Sequence, residues 1–194
     1  MEDFWFYVQL GFHHVLDLGA YDHILFLAAL AAPFTLSRWK QILLLATIFT
    51  IAHCTSLALS AFDTLTINVA LIEFLIPVTI MATAVFNLVY IRKTAQTHSM
   101  SVLGVSTTFF GLIHGFGFSN YFRMLMAEED SKSIPLLAFA SGIELSQVLI
   151  IGVVLLLAYV VQSFLKIPRT LFVTLWSVLI LVITIPLLIN TFPW

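Results

Sequence analysis

Three carboxylates and three imidazoles stand inside long apolar runs of this 194-residue chain: Asp22, Glu73 and Glu144, with His23, His53 and His114. Ionisable side chains at hydrocarbon depth are costly, and they persist where they face a cavity, pair with one another or hold a bound group. Neutral imidazole and carboxylate together make a nitrogen and oxygen donor set suited to zinc, nickel, cobalt, iron or manganese, and the set does not choose among these metals. Singly, each residue has a plainer explanation. A lone intramembrane histidine commonly bonds a neighbouring helix, and a lone carboxylate can stay neutral. Together they point to a metal or proton-linked site.

The elements that must position these groups follow from composition. Hydrophobic residues make up 61% of the chain and charged residues 9%, with a mean hydropathy of +1.07, far above the roughly 45 to 50% apolar usage of soluble domains. This is the composition of a polytopic, all-α membrane protein. A spanning helix needs about 20 residues. Apolar runs at about 20–36, 41–61, 66–91, 100–121, 134–163 and 170–192 therefore predict six spans in a single domain, residues 1–194. Nothing is left for a soluble catalytic or nucleic-acid-binding domain, and no Walker or dinucleotide glycine pattern occurs. The first seventeen residues, with Trp5, Tyr7 and Phe12 beside His13, His14 and Asp17, read as an interfacial helix leading into span one. They lack the positive region of a secretory signal, so the mature chain is expected to start here.

Arg38, Lys40, Arg92, Lys93, Lys166 and Arg169 follow spans one, three and five, and the positive-inside rule puts them in the cytoplasm. Asp63, Glu128, Glu129 and Asp130 then lie outside, as do both termini. His98 falls in a basic loop and reads as solvated.

Counted from the outer span ends, His53 lies roughly 12 Å deep, Glu73 and His114 roughly 10 Å and Glu144 roughly 15 Å, with Asp22 and His23 near the start of span one. Five helices thus bring polar groups to the outer half of the bilayer, and one outward-opening site is the simplest account. Thr47, Thr50, His53, Ser56 and Ser60 form a stripe on one face of span two, which for the Ser and Thr positions reads as helix packing. Gln147 shares a face with Glu144, and Asn87 roughly with Glu73. Pro77, four residues after Glu73, is expected to free backbone carbonyls near that carboxylate. Gly111 and Gly115 fit close helix approach, and Gly117 is placed to loosen the helix end. Cys54 points about 100° from His53 and reads as a small buried apolar residue. Phe49-Thr-Ile-Ala-His53 and Phe110-Gly-Leu-Ile-His114 form a weak internal repeat.

Gly11-Phe-His-His14, Asp22-His23-Ile-Leu-Phe26, Phe49-Thr-Ile-Ala-His53, Glu73 with Asn87, Phe110-Gly-Leu-Ile-His114-Gly-Phe-Gly-Phe118 and Gly142-Ile-Glu144-Leu-Ser-Gln147 together resemble the HupE/UreJ membrane family. The resemblance covers spans one to five in order. It implies a small bacterial inner-membrane protein associated with nickel supply and, in some branches, with other metals. It also adds His14 to Asp22, His23, His53, Glu73, His114 and Glu144 as positions of interest, leaving open whether His13 or His14 reaches the site.

Three functions compete. The first is a divalent-cation permease of nickel, cobalt or zinc type, whose outward-facing His and carboxylate groups capture the ion before helices rock to deliver it. Against it, the inner halves of the spans offer only groups such as Thr83 and Asn87. The second is an intramembrane zinc hydrolase acting on a lipid or membrane-tethered substrate, with His23, His53 and His114 as ligands, Glu73 or Glu144 as general base and Asp22 orienting a ligand. The third is an assembly partner without metal. The resemblance favours transport, with the bilayer and a divalent transition metal ion, zinc or nickel first, as partners. Nucleic acid is excluded, and a homo-oligomer is left open.

Overall fold

The computed structural model describes residues 2–62, 67–91, 100–127, 129 and 131–193. Asp63, Arg92, Lys93, His98, Glu128 and Asp130, which entered the charge reading, lie outside the described residues. Among the described residues, seven α-helices follow one another: α1 (Glu2–Leu16), α2 (Asp22–Ala31), α3 (Trp39–Ala61), α4 (Val69–Tyr90), α5 (Met100–Leu125), α6 (Ser133–Ser163) and α7 (Arg169–Asn190). A single turn of 3-10 helix, Leu36–Arg38, leads into α3. The last five are long and apolar enough to cross a membrane.

The apolar run expected as span one is helical only over Asp22–Ala31. Ten residues rise about 15 Å, half of a hydrocarbon core of about 30 Å. Both ends have local causes. Asp17 accepts from the backbone N–H of Gly19 at 2.8 Å and of Ala20 at 3.2 Å, a turn that separates α1 from α2. At the other end Pro33 has no N–H for the carbonyl of Ala29, its natural partner four residues earlier. Asn87 of α4 fills that role, its Nδ2 donating to the Ala29 carbonyl at 2.8 Å. Trp176 of α7 donates to the adjacent Ala28 carbonyl at 3.1 Å, and Arg169 donates to the Pro33 carbonyl. Side chains of two long helices thus satisfy the polar end of a short, deeply buried one.

The N-terminal helix does not lie apart at an interface. It packs along α6, with Tyr7, Val8 and Val15 buried. A Cβ on Gly142 would overlap the Val8 carbonyl, and one on Gly11 the Phe139 carbonyl, so this crossing requires both glycines. The pair α3 and α5 is equally close. Gly111 lies against Phe49 and Ala52, and Gly115 against the backbone of His53. The two repeat segments therefore sit side by side. Gly117 does not end α5, which continues to Leu125.

Among the described residues, basic side chains gather at one end of the bundle. Arg38 before α3 and Lys40 in its first turn share an end with Arg169, whose guanidinium reaches the Pro33 carbonyl. At the opposite end Tyr7 donates to Glu129 at 2.6 Å, and Lys132 donates to the Ala61 carbonyl. We call these the basic and the acidic end.

Candidate metal centre

Four helices each bring one imidazole to a common point. His14 arrives on the last turn of α1, His23 on the first turn of α2, His53 in the acidic-end half of α3 and His114 near the middle of α5. The ring centroids of His14 and His23 are 4.7 Å apart, of His14 and His53 5.7 Å, of His23 and His53 5.4 Å, and of His23 and His114 5.2 Å. His53 is completely buried, while His23 and His114 are 3% and 1% exposed. Asp22 joins them at 20% side-chain exposure.

Hydrogen bonds fix two of the rings. The Nδ1 of His23 lies 3.2 Å from Oδ1 of Asp22. A carboxylate only accepts, so Nδ1 carries the hydrogen and Nε2 keeps its lone pair. The Nε2 of His114 lies 3.1 Å from Oγ1 of Thr79, whose own hydrogen goes to the Ile76 carbonyl at 2.7 Å. Thr79 therefore accepts, His114 carries its hydrogen on Nε2, and Nδ1 keeps the lone pair.

Those two lone-pair nitrogens have no hydrogen-bond partner among the described residues, and neither do both nitrogens of His53 or Nε2 of His14. Buried imidazole nitrogens left this way are expensive, because each forfeits its bonds to water. A transition metal ion fits them chemically. Metal-bound histidines characteristically give their other ring N–H to a carboxylate or similar acceptor, as His23 and His114 do here. Donor atoms of His14, His23 and His53 lie within 4.8 Å of one another, and so do those of Asp22, His23 and His114.

Of the residues anticipated from sequence, His14, Asp22, His23, His53 and His114 come together, and His14 is the member of its pair that arrives. Its neighbour His13 is exposed. Glu73 is exposed on α4 and belongs to neither donor group. Glu144 sits instead between α6 and α3, accepting from Thr47 at 2.6 Å and Thr50 at 2.8 Å, with Gln147 beside Thr50 at 3.2 Å. The polar stripe of α3 thus divides. Thr47 and Thr50 serve Glu144, His53 faces the imidazole cluster, and Ser56 donates to the Leu112 carbonyl across the contact with α5. Cys54 is buried and unbridged in the apolar core.

Thr79 was not singled out from the sequence. A signal was present, because Thr79, Thr83 and Asn87 recur every four residues and all three are buried. Glu73 lies six residues before Thr79, about 120° round the helix from it, so the two do not share a face.

A family model described as HupE / UreJ protein matches residues 1–191. No curated protein and no solved structure matches the chain. The match spans nearly the whole sequence, and the chain belongs to the HupE/UreJ family.

Proposed function

From membership of the HupE/UreJ family, we propose that this membrane protein is a divalent transition-metal permease that captures its ion on an intramembrane imidazole cluster. The observation that carries this reading is the convergence of five unpartnered imidazole nitrogens, two of them fixed as lone-pair donors by Asp22 and Thr79. Nickel and zinc both suit such ligands, and the family association favours nickel. The acidic end, with both termini, faces out of a bacterial inner membrane, and the basic end faces the cytoplasm.

The path toward the basic end is closed in this conformation. Phe26 and Phe49, both fully buried, stack at 4.9 Å on the basic side of His23 and His114. The remainder of α2, Leu25 to Ala31, is buried and apolar. Delivery of an ion therefore needs α2 to shift against α3, so that the aromatic pair parts. A short helix held at its far end by Asn87 and Trp176 is the natural moving part.

Placement of the carboxylates disfavours the hydrolase alternative. It requires a free base beside the metal, and Glu73 and Glu144 lie outside both donor groups. The apolar cleft between α3 and α6, about 410 Å³, is lined by Thr50, Cys54, Leu137 and Ala140 among others, with no histidine. The assembly-partner alternative leaves the unpartnered nitrogens without a role. Uptake of radiolabelled nickel or zinc into proteoliposomes tests the proposal. The full chain should carry the ion, and His53→Ala and His114→Ala should reduce uptake. Uptake equal to that of empty liposomes would overturn it.

A further inference from the structure

The metal centre divides at His23. Two donor triads share that residue, and the five side chains do not merge into one set. An ion bound by imidazole at about 2.1 Å holds its donor atoms within about 4.2 Å of one another, so a triad whose donors lie within 4.8 Å needs only a small contraction to enclose it, whereas the five residues do not form one group. The triads sit in different surroundings. The His14 ring packs at 4.0 Å against Phe118 and at 5.7 Å against Phe139, toward the acidic end. The His114 ring packs at 5.2 Å against Phe26 and at 5.3 Å against Phe49, toward the basic end. They also differ in charge, since one triad is three neutral imidazoles and the other includes the Asp22 carboxylate.

Resting on the permease reading, we propose that the centre holds one divalent cation in two alternative positions, the first formed by His14, His23 and His53 and the second by Asp22, His23 and His114. Two ions together would set four positive charges against the single carboxylate of Asp22 in a buried site, where like charges repel strongly. One ion moving between the triads keeps His23 as a ligand on both sides. It therefore never has to recover a full hydration shell inside the membrane. In the first position the ion takes the Nε2 lone pair of His23, while the ring hydrogen stays on Nδ1 against Asp22. The second position adjoins the Phe26 and Phe49 barrier, so the exchange advances the ion toward the basic end.

Cobalt(II) titration of the detergent-purified full chain tests this, read by stoichiometry, ligand-field spectrum and X-ray absorption. The wild type should bind one cobalt per chain. His53→Ala should retain one, with a carboxylate in its shell, and His114→Ala should retain one in an all-imidazole shell. Each single variant should keep measurable cobalt affinity through the triad left intact, and the double variant should bind none. Two cobalt ions per wild-type chain would overturn the proposal, as would single variants that lose binding as completely as the double. Anomalous scattering from cobalt-loaded wild-type crystals gives a variant-independent check, because one round peak equidistant from both triads would also overturn it. A wild type that binds no cobalt would defeat the permease reading itself, whereas normal two-position binding without uptake would defeat only transport.

Discussion

The imidazole of His114 gives its Nε2 hydrogen to Oγ1 of Thr79 across 3.1 Å, and Thr79 can accept it because its own hydrogen is committed to the carbonyl of Ile76. One hydroxyl on α4 thereby decides which nitrogen of a ring on α5 is free to bind a metal.

Thr79→Val removes the acceptor at nearly constant volume. Metal affinity should fall by about 10- to 100-fold, the usual loss when the outer partner of a ligating histidine is deleted. Thr79→Ser should restore most of it. Competition titration with a chromophoric chelator measures both.

Metal binding should stabilise the fold, because the unfolded chain has no assembled site. At an ion concentration 100 times Kd the gain is about 2.7 kcal/mol, visible as a rise in Tm in detergent. Chelator should reverse the rise, and His53→Asn should diminish it at the same ion concentration. A metal-free assembly protein would tolerate that substitution with no change in either measurement.

Glu73→Gln and Glu144→Gln should leave metal affinity within about two-fold of wild type, an effect of under ~0.5 kcal/mol. The first lies exposed on α4, and the second accepts from Thr47 and Thr50 on separate oxygens, of which a glutamine keeps one, away from the imidazole cluster. Isothermal titration with nickel or zinc checks this. A loss comparable to that of His53→Ala would bring either carboxylate back as a ligand.

Gly115→Ala should force α3 and α5 apart, because the new methyl would overlap the backbone of His53. Overpacking of this kind costs about 1–3 kcal/mol, and here it also displaces a ligand, so Tm and metal affinity should fall together. Gly152→Ala is the matched control. Its new methyl meets nothing within 4 Å, and the better helix propensity should leave Tm unchanged or slightly higher.

Asn87→Leu should destabilise the chain by about 1–3 kcal/mol, the cost of a buried carbonyl left unpaired. Pro33 cannot supply the missing N–H to Ala29, and Asn87 is the replacement. The loss should read as lower Tm. If α2 is the moving part, the same variant should also change the rate of uptake more than it changes metal affinity.

The sequence by itself determined the class of the protein and the inventory of its chemistry. Apolar runs of spanning length dictate membrane helices, because only internally bonded backbone survives in hydrocarbon. Rare ionisable groups within those runs stand out, and Asp22, His23, His53 and His114, which packing gathers into the cluster proposed to bind metal, are singled out on that ground alone. Helical periodicity fixes how deep a residue lies and which way it points from its own axis, but it does not fix which neighbour that direction meets. Glu73 and Glu144 had suitable depths and were read with the histidines. Packing turned Glu73 outward and gave Glu144 to the threonines of α3. His14 was named by resemblance with its reach left open, and tertiary structure decided it, because its helix packs through Gly11 and Gly142 along α6 instead of lying at an interface. The same packing made α2 a half-length helix that begins at the imidazole cluster, with Asn87 satisfying the Ala29 carbonyl that Pro33 leaves open and Trp176 adding a donor to the carbonyl of Ala28. Thr79 belongs to this second class as well. A threonine in an apolar helix carries no label, and its role exists only because α4 and α5 place its hydroxyl against His114.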